Sequence, residues 1–229
     1  MKNKFSIIVP CYNEELSIKK LIDEIIQISF NDYEYELIII NDGSNDQTLE
    51  IITNLSKKHN FIKIIDNKIN KGQSYSIHSG IKKAKFKNIV TIDADGQNDP
   101  KDIKKLLEIY FDRKYLLVGG IRTKRKDKLI KIFSSRIANY IRKRILNDDC
   151  NDTGCSLKVL NKTVFLKLPY FDGLHRFLPA LYKANGCLTK FVEVNHRERL
   201  LGVSKYGTLD RLFKGIKDLV KVYRIIKKY

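Results

Sequence analysis

The chain has 229 residues, 43% of them hydrophobic, enough to build an ordinary buried core, so disorder is not its default state. Lys and Arg number 44 against 26 Asp and Glu, and the formal charge of +18 favours nucleic acid, anionic lipid or small phosphorylated ligands without choosing among them. The four cysteines, Cys11, Cys150, Cys155 and Cys187, show no C-x-x-C pair and no clustered histidine, which leaves zinc and a disulfide framework unsupported and points to reduced thiols in a cytosolic protein.

From the start of the chain, Met1 to Lys4 run straight into a strand-like Phe5 to Val9, so no signal peptide is expected. Further apolar runs at Leu37 to Ile40, Ile62 to Ile65, Ile89 to Ile92 and Leu116 to Val118 predict buried strands. Between them, Glu14 to Ile28 sets Ile18, Leu21, Ile22 and Ile25 on one helical face, and Asp46 to Lys57 and Ser74 to Lys85 are also helix-like. Asp99 and Pro100 suit the N-cap and first residue of a following helix. This alternation predicts an α/β fold: a mainly parallel sheet covered on both sides.

Beyond residue 125 the pattern is less regular. Lys126 to Leu146 predicts a long basic helix, Ser156 to Leu160 a strand, Leu174 to Asn185 a helix and Leu188 to Val194 a strand. Arg197 to Gly207, polar and basic with two glycines, is expected to be a mobile loop. The stretch Thr208 to Tyr229 carries Leu209, Leu212, Phe213, Ile216, Leu219, Val220, Tyr223 and Ile226 at helical spacing, with Lys and Arg between them. Such a helix either lies in a headgroup layer or packs on its own domain with a solvated outer face. No apolar run approaches the ~18 residues a spanning helix needs, so the chain itself is not expected to cross a membrane.

The polar residues fall at strand ends. Ile92-Asp93-Ala94-Asp95-Gly96-Gln97 ends a strand in two carboxylates one residue apart, followed by an amide. In open α/β sheets ligands gather at the carboxyl ends of strands, and hard oxygen donors suit Mg²⁺ or Mn²⁺. The same residues would also serve as a solvated turn. Asp42, in Asn41-Asp42-Gly43-Ser44-Asn45-Asp46, could accept from a base N–H, while Asn45 or Asp46 could simply cap a helix. Pro10-Cys11-Tyr12-Asn13-Glu14 brings a ring and polar groups to the same edge. Three such strand ends on one rim point to a nucleotide pocket.

In this order the strings V-P-C-Y-N-E-E, N-D-G-S-N-D-Q-T, N-K-G-Q-S and D-A-D-G-Q-N-D-P resemble inverting GT-A glycosyltransferases of the dolichyl-phosphate mannosyltransferase and bacterial polyprenyl-phosphate glycosyltransferase type. The likeness continues through Asp152 to Lys158, Phe171 to Pro179, Asn195 to Arg199 and Gly202 to Gly207, nearly the whole chain. It implies a GT-A, Rossmann-like catalytic domain over residues 1–207 and a basic amphipathic helix over 208–229. Pro10, Tyr12, Glu14, Asp42, Asp93 and Ala94 would line the nucleotide-sugar site. Asp93, Asp95 and Gln97 would hold the divalent ion, and Ser204 and Lys205 would close over the diphosphate. Arg122, Arg125 and Arg136 would clamp the acceptor phosphate. Asp95, Arg122, Arg125 and Lys205 would carry the chemistry. Asn41 departs from the family, where many relatives carry an aspartate.

The resemblance implies transfer of a sugar from a UDP- or GDP-sugar to undecaprenyl or dolichyl phosphate, by a peripheral enzyme on the cytoplasmic, anionic face of a membrane. A phosphate acceptor is already ionised and needs no general base, only cations to position it. A soluble or glycan acceptor is the alternative. A basic nucleic-acid-binding protein is the rival from another class, but no reader motif is present and bare carboxylates would repel phosphate. A homo-oligomer or a membrane-protein partner stays open, as do the donor sugar and the choice between Mg²⁺ and Mn²⁺.

Overall fold

The computed structural model describes residues 2–112, 114–123, 139–198 and 208–228, with side chains of 208–214 excepted. Seven strands form one sheet: β1 (Asn3–Cys11), β2 (Tyr33–Asp42), β3 (Ile62–Asn67), β4 (Asn88–Thr91), β5 (Leu117–Arg122), β6 (Lys158–Asn161) and β7 (Thr189–Val194). Their order is β3-β2-β1-β4-β6-β5-β7. β6 runs antiparallel to β4 and β5, and the other pairs are parallel. The carboxyl ends of β1, β2, β3, β4, β5 and β7 therefore share one edge with the start of β6. The chain builds outward from β1 to β3 and then returns to place β4 on the other side of β1, and that reversal opens a crevice at the strand tips.

Alternate side chains of each strand face opposite layers. Phe5, Ile7, Val9, Leu37, Ile39, Val90 and Val118 pack with helices α1 (Ile18–Gln27), α2 (Thr48–Lys58) and α4 (Asp102–Asp112). Ile8, Ile38, Ile40, Ile89, Leu117 and Leu160 pack with α3 (Gln73–Lys83) and the helices Lys162–Lys167, Leu178–Ala184 and Thr208–Ile226. Burial on both faces explains why the central strands read as unbroken apolar runs rather than alternating ones. In α1 the expected stripe Ile18, Leu21, Ile22 and Ile25 is buried throughout.

Three differences from the sequence-based expectation have physical causes. β5 continues four residues past Val118, through Gly119 and Gly120, because those glycines leave room for Phe191 on one and for Val194 and Cys155 on the other. The helix expected over Leu174 to Asn185 is broken into a 3₁₀ turn at Leu174–Arg176 and a helix at Leu178–Ala184. Pro179 cannot continue a helix from the preceding turn but suits the start of a new one. The short helix Lys162–Lys167 was not expected, and the Asn161 side chain caps it by accepting from Val164 N–H at 3.2 Å. Of the predicted helix Lys126 to Leu146, residues 139–146 are helical and 126–138 lie outside the described residues.

α3 approaches the sheet at Gly80, where an added Cβ would sit 2.7 Å from Ile40 Cδ1 and 2.9 Å from Ile8 Cγ2. Gly80→Val is therefore expected to lower stability by about 1–3 kcal/mol through overpacking. A lower denaturant midpoint at unchanged m-value would register this, and an unchanged midpoint would show that the α3 packing yields there.

Candidate active site

The loops after β1 and β2 are stitched together before any ligand is considered. Asn13 N–H donates to Ser44 Oγ, Glu14 N–H to Thr48 Oγ1 and Glu15 N–H to Asp46 Oδ2, at 3.0, 2.8 and 3.2 Å. In return Asn45 N–H donates to Asn13 Oδ1 and Gln47 N–H to Glu15 Oε2. Asp46 also accepts from Thr48 N–H, while the N-cap of α2 is Gln47, one residue beyond the expected Asn45 or Asp46. Tyr12 and Glu14 thus stand at the rim on a braced loop, Glu14 accepting from Ser17 Oγ at 2.9 Å. Pro10 and Ala94 are buried, so they offer a ligand little side-chain surface.

Asp42 is at the rim, and its carboxylate is held by the loop after β3. Only 3% exposed, it accepts from Asn67 Nδ2, Lys71 N–H and Gly72 N–H at 3.0, 3.0 and 2.8 Å. It thereby anchors the loop after β3. Gly43 makes this possible: its φ is +71°, and an added Cβ would lie 2.6 Å from the backbone of Ile69 and Asn70. Asn41 donates to Asp66 Oδ1 and accepts from Ser44 N–H, and an aspartate could not make the first of these bonds.

Past β4, Asp95 Oδ1 accepts from Gln97 N–H at 3.1 Å across Gly96, whose φ is +71°. Gln97 C=O accepts from Arg197 N–H, and Asn98 bridges His196, so the segment after β7 backs this turn. Arg197 fastens it further through ion pairs to Glu24 and Asp99. Asp93 Oδ1 accepts from Gln73 Nε2 at 2.6 Å, and Asp93 N–H donates to Ser156 Oγ, which itself donates to Asn98 Oδ1. Burial, and then the charge of Asp95, push the Asp93 carboxyl up to about 7, against the opposing influence of Lys158, Ser156 and Arg122. A buried carboxyl raised in this way, with a second carboxylate acting on it, is a donor that a hard divalent cation would relieve. The residues present fit Mg²⁺ or Mn²⁺. Among the described residues no cluster of three or more His, Cys, Asp or Glu gathers, so substrate oxygens would complete the shell.

Arg122 ends β5 on this edge and acts electrostatically on Asp93. Its guanidinium is gripped by one carboxylate: Nε donates to Asp152 Oδ2 at 2.7 Å and Nη2 to Oδ1 at 2.8 Å, while Arg122 N–H also reaches Oδ2. Gly154 leaves room for it, since an added Cβ there would lie 2.7 Å from Nη2. Of the other acceptor-side and diphosphate-side expectations, Arg125, Arg136, Ser204 and Lys205 lie outside the described residues. The sequence reading gave no role to Gln73, Ser156 or Lys158, although each lies in a quoted motif. Lys158, buried, donates to Cys155 C=O and sits behind Asp93. Their signal was their place in those strings, which spacing alone could not turn into a contact.

Carboxylates at the tip of the strand beside the topological reversal, braced by loops from three neighbouring strands, define a GT-A-type glycosyltransferase fold. Glucosyl-3-phosphoglycerate synthase from Mycobacterium tuberculosis, solved with uridine diphosphate, superposes with a TM-score of 0.72 at 15% identity, over 98% of this chain and 80% of that one. A mannosyltransferase from Pyrobaculum calidifontis, solved with GDP-Man and Mn²⁺, gives 0.66 at 14% identity, over 96% and 65%. This chain belongs to glycosyl transferase family 2, whose model matches residues 6–168. It is 34% identical over 225 residues to dodecaprenyl-phosphate galacturonate synthase of Rhizobium johnstonii, covering 96% of this chain and 66% of that protein. It is 32% identical over 220 residues to undecaprenyl-phosphate 4-deoxy-4-formamido-L-arabinose transferase of Yersinia pestis, covering 95% and 66%. The chain thus spans just under two thirds of the length of these curated relatives.

Proposed function

We propose that the protein transfers a sugar from a nucleotide-sugar to a polyprenyl phosphate, with inversion at the anomeric carbon, as a peripheral enzyme on the inner face of a membrane. The observation that carries this reading is that Asp93 and Asp95, just past the end of β4, share one sheet edge with Arg122 at the end of β5. The two named relatives, both polyprenyl-phosphate sugar transferases by name, support the acceptor class.

Asp93 and Asp95, with Gln97 beside them, would hold Mg²⁺ or Mn²⁺. The ion, when bound, supplies positive charge to the diphosphate oxygens, where negative charge develops as the bond to the sugar breaks. Gln73 and Ser156 keep Asp93 in place, and the Gln97 N–H does the same for Asp95. Tyr12, Glu14 and the loop anchored by Asp42 form the nucleoside side of the cleft, and Ser204 and Lys205 are assigned to the diphosphate. Arg122, oriented by Asp152, faces an acceptor phosphate together with Arg125 and Arg136, offsetting its repulsion from the donor diphosphate. That phosphate attacks as an anion, so no side chain need remove a proton.

Nucleotide-sugars screened against a short polyprenyl phosphate with Mg²⁺ or Mn²⁺ are expected to release nucleoside diphosphate only when donor, lipid phosphate and metal are all present. Release that requires a soluble sugar hydroxyl instead would replace the acceptor, and metal-independent release would remove the ion.

A further inference from the structure

The helix Thr208–Ile226 has two unlike sides. On one, Val222 is fully buried and Leu219, Ile225 and Ile226 pack on the apolar layer beneath the sheet. Asp218, also buried there, accepts from Arg176 Nη2 at 2.8 Å. On the other side Ile216, Val220 and Tyr223, spaced i, i+4 and i+7, form one band with exposures of 52%, 46% and 41%. Beside this band runs a row of cations: Lys217, Lys221, Arg224 and Lys228 line an open groove with Val220 and Ile225. A second helical stretch, residues 139–146, repeats the pattern. Tyr140, Ile141 and Ile145 are exposed around Arg144, whose guanidinium lies 5.5 Å from the Tyr140 ring. Leu146 is buried in the same apolar layer as Val222, so both stretches cover the same face of the sheet.

We propose that this side of the protein docks on an anionic lipid bilayer. Ile216, Val220 and Tyr223 enter the boundary between headgroups and acyl chains, and the basic row lies on the phosphates. An ordinary solvated helix face would not concentrate three large apolar side chains beside four cations. Charge decides against a second copy as the occupant, because each copy carries a formal +18 and would bring the same basic row to the contact. The proposal deepens the membrane location in the reading above by naming the surface, and it requires no sugar transfer to be true.

Docking by this helix would also orient the cleft. An added Cβ on Gly173 would lie 2.6 Å from Asp218 Oδ2, so the helix presses directly on the loop that carries His175. Gly173 N–H donates to Ser74 Oγ at 2.8 Å, and that oxygen is 2.7 Å from His175 Nδ1. Gln73, next to Ser74, holds Asp93. A short series of direct contacts therefore joins the bilayer-facing helix to the carboxylate pair.

Co-sedimentation of the full chain with phosphatidylglycerol-containing vesicles, against pure phosphatidylcholine vesicles, tests this. Binding to the anionic vesicles alone, weakening as salt rises, is the expected result. Lys217→Gln with Arg224→Gln should weaken it about 25-fold, on the order of fivefold per charge. Val220→Asp should weaken it too, and neither variant should shift the thermal midpoint. Nucleotide-sugar binding measured in solution on the same samples separates a failure here from a failure of the transferase reading. No binding to anionic vesicles, variants that bind like the parent, or a dimer dissolved by Val220→Asp would each overturn the proposal.

Discussion

Asp95→Asn is expected to reduce sugar transfer on the order of a thousandfold while leaving the chain as stable as the parent. The asparagine keeps an Oδ1 to accept from Gln97 N–H, so the turn over Gly96 has no reason to open. What it removes is charge. Asp93 then loses the neighbour that, after burial, does most to hold its carboxyl near 7, so the folded state is relieved of a repulsion rather than strained. Nucleoside diphosphate release, a Mn²⁺ titration and a denaturant curve measured together separate the outcomes. Unchanged turnover would remove the metal role from Asp95, and a collapsed denaturant curve would make the residue structural.

The second large effect is expected at Arg122. Its side chain is 15% exposed and that of Asp152 6%, so the pair is not a solvent-screened surface bridge. Arg122→Ala removes a two-point guanidinium contact from the buried Asp152 carboxylate, and a loss of up to about 3 kcal/mol is expected. Replacing both by alanine should cost less than the sum of the single changes, because the two side chains are in direct contact. At a temperature where Arg122→Ala is still folded, use of the lipid phosphate should fall far more than nucleotide binding. Equal loss of both would show that Arg122 serves only to hold the connection that carries Ser156.

Most of the sheet could be read from the sequence because its strands are buried on both faces. Isoleucine runs such as Leu37 to Ile40 have no other economical use in a chain of this composition. Helix α1 was readable from the spacing of its four buried residues. What escaped was set by tertiary neighbours. Gly119 and Gly120 look like strand breakers until Phe191, Val194 and Cys155 are seen to fill the space beside them. In the cleft, the positions of Asp93 and Asp95 followed from where their strand ends. The three donors on Asp42 did not, because Asn67, Lys71 and Gly72 reach it only after β3 is laid beside β2. Pairing of Arg122 with Asp152 was equally hidden, since 30 residues separate them and only the reversed β6 brings them together.

That reversed strand has a consequence for how such a molecule diversifies. β5 finishes and β6 begins at the same margin of the sheet, so the chain between them departs and returns without having to travel the length of a strand. The parallel connections from β1 to β4 have no such freedom, since each must recross a packed layer to start its next strand. Lengthening or trimming the excursion between Arg122 and Lys158 well away from Ser156, which holds the tip of β4, would alter that margin while leaving β1, β2 and β3 in place.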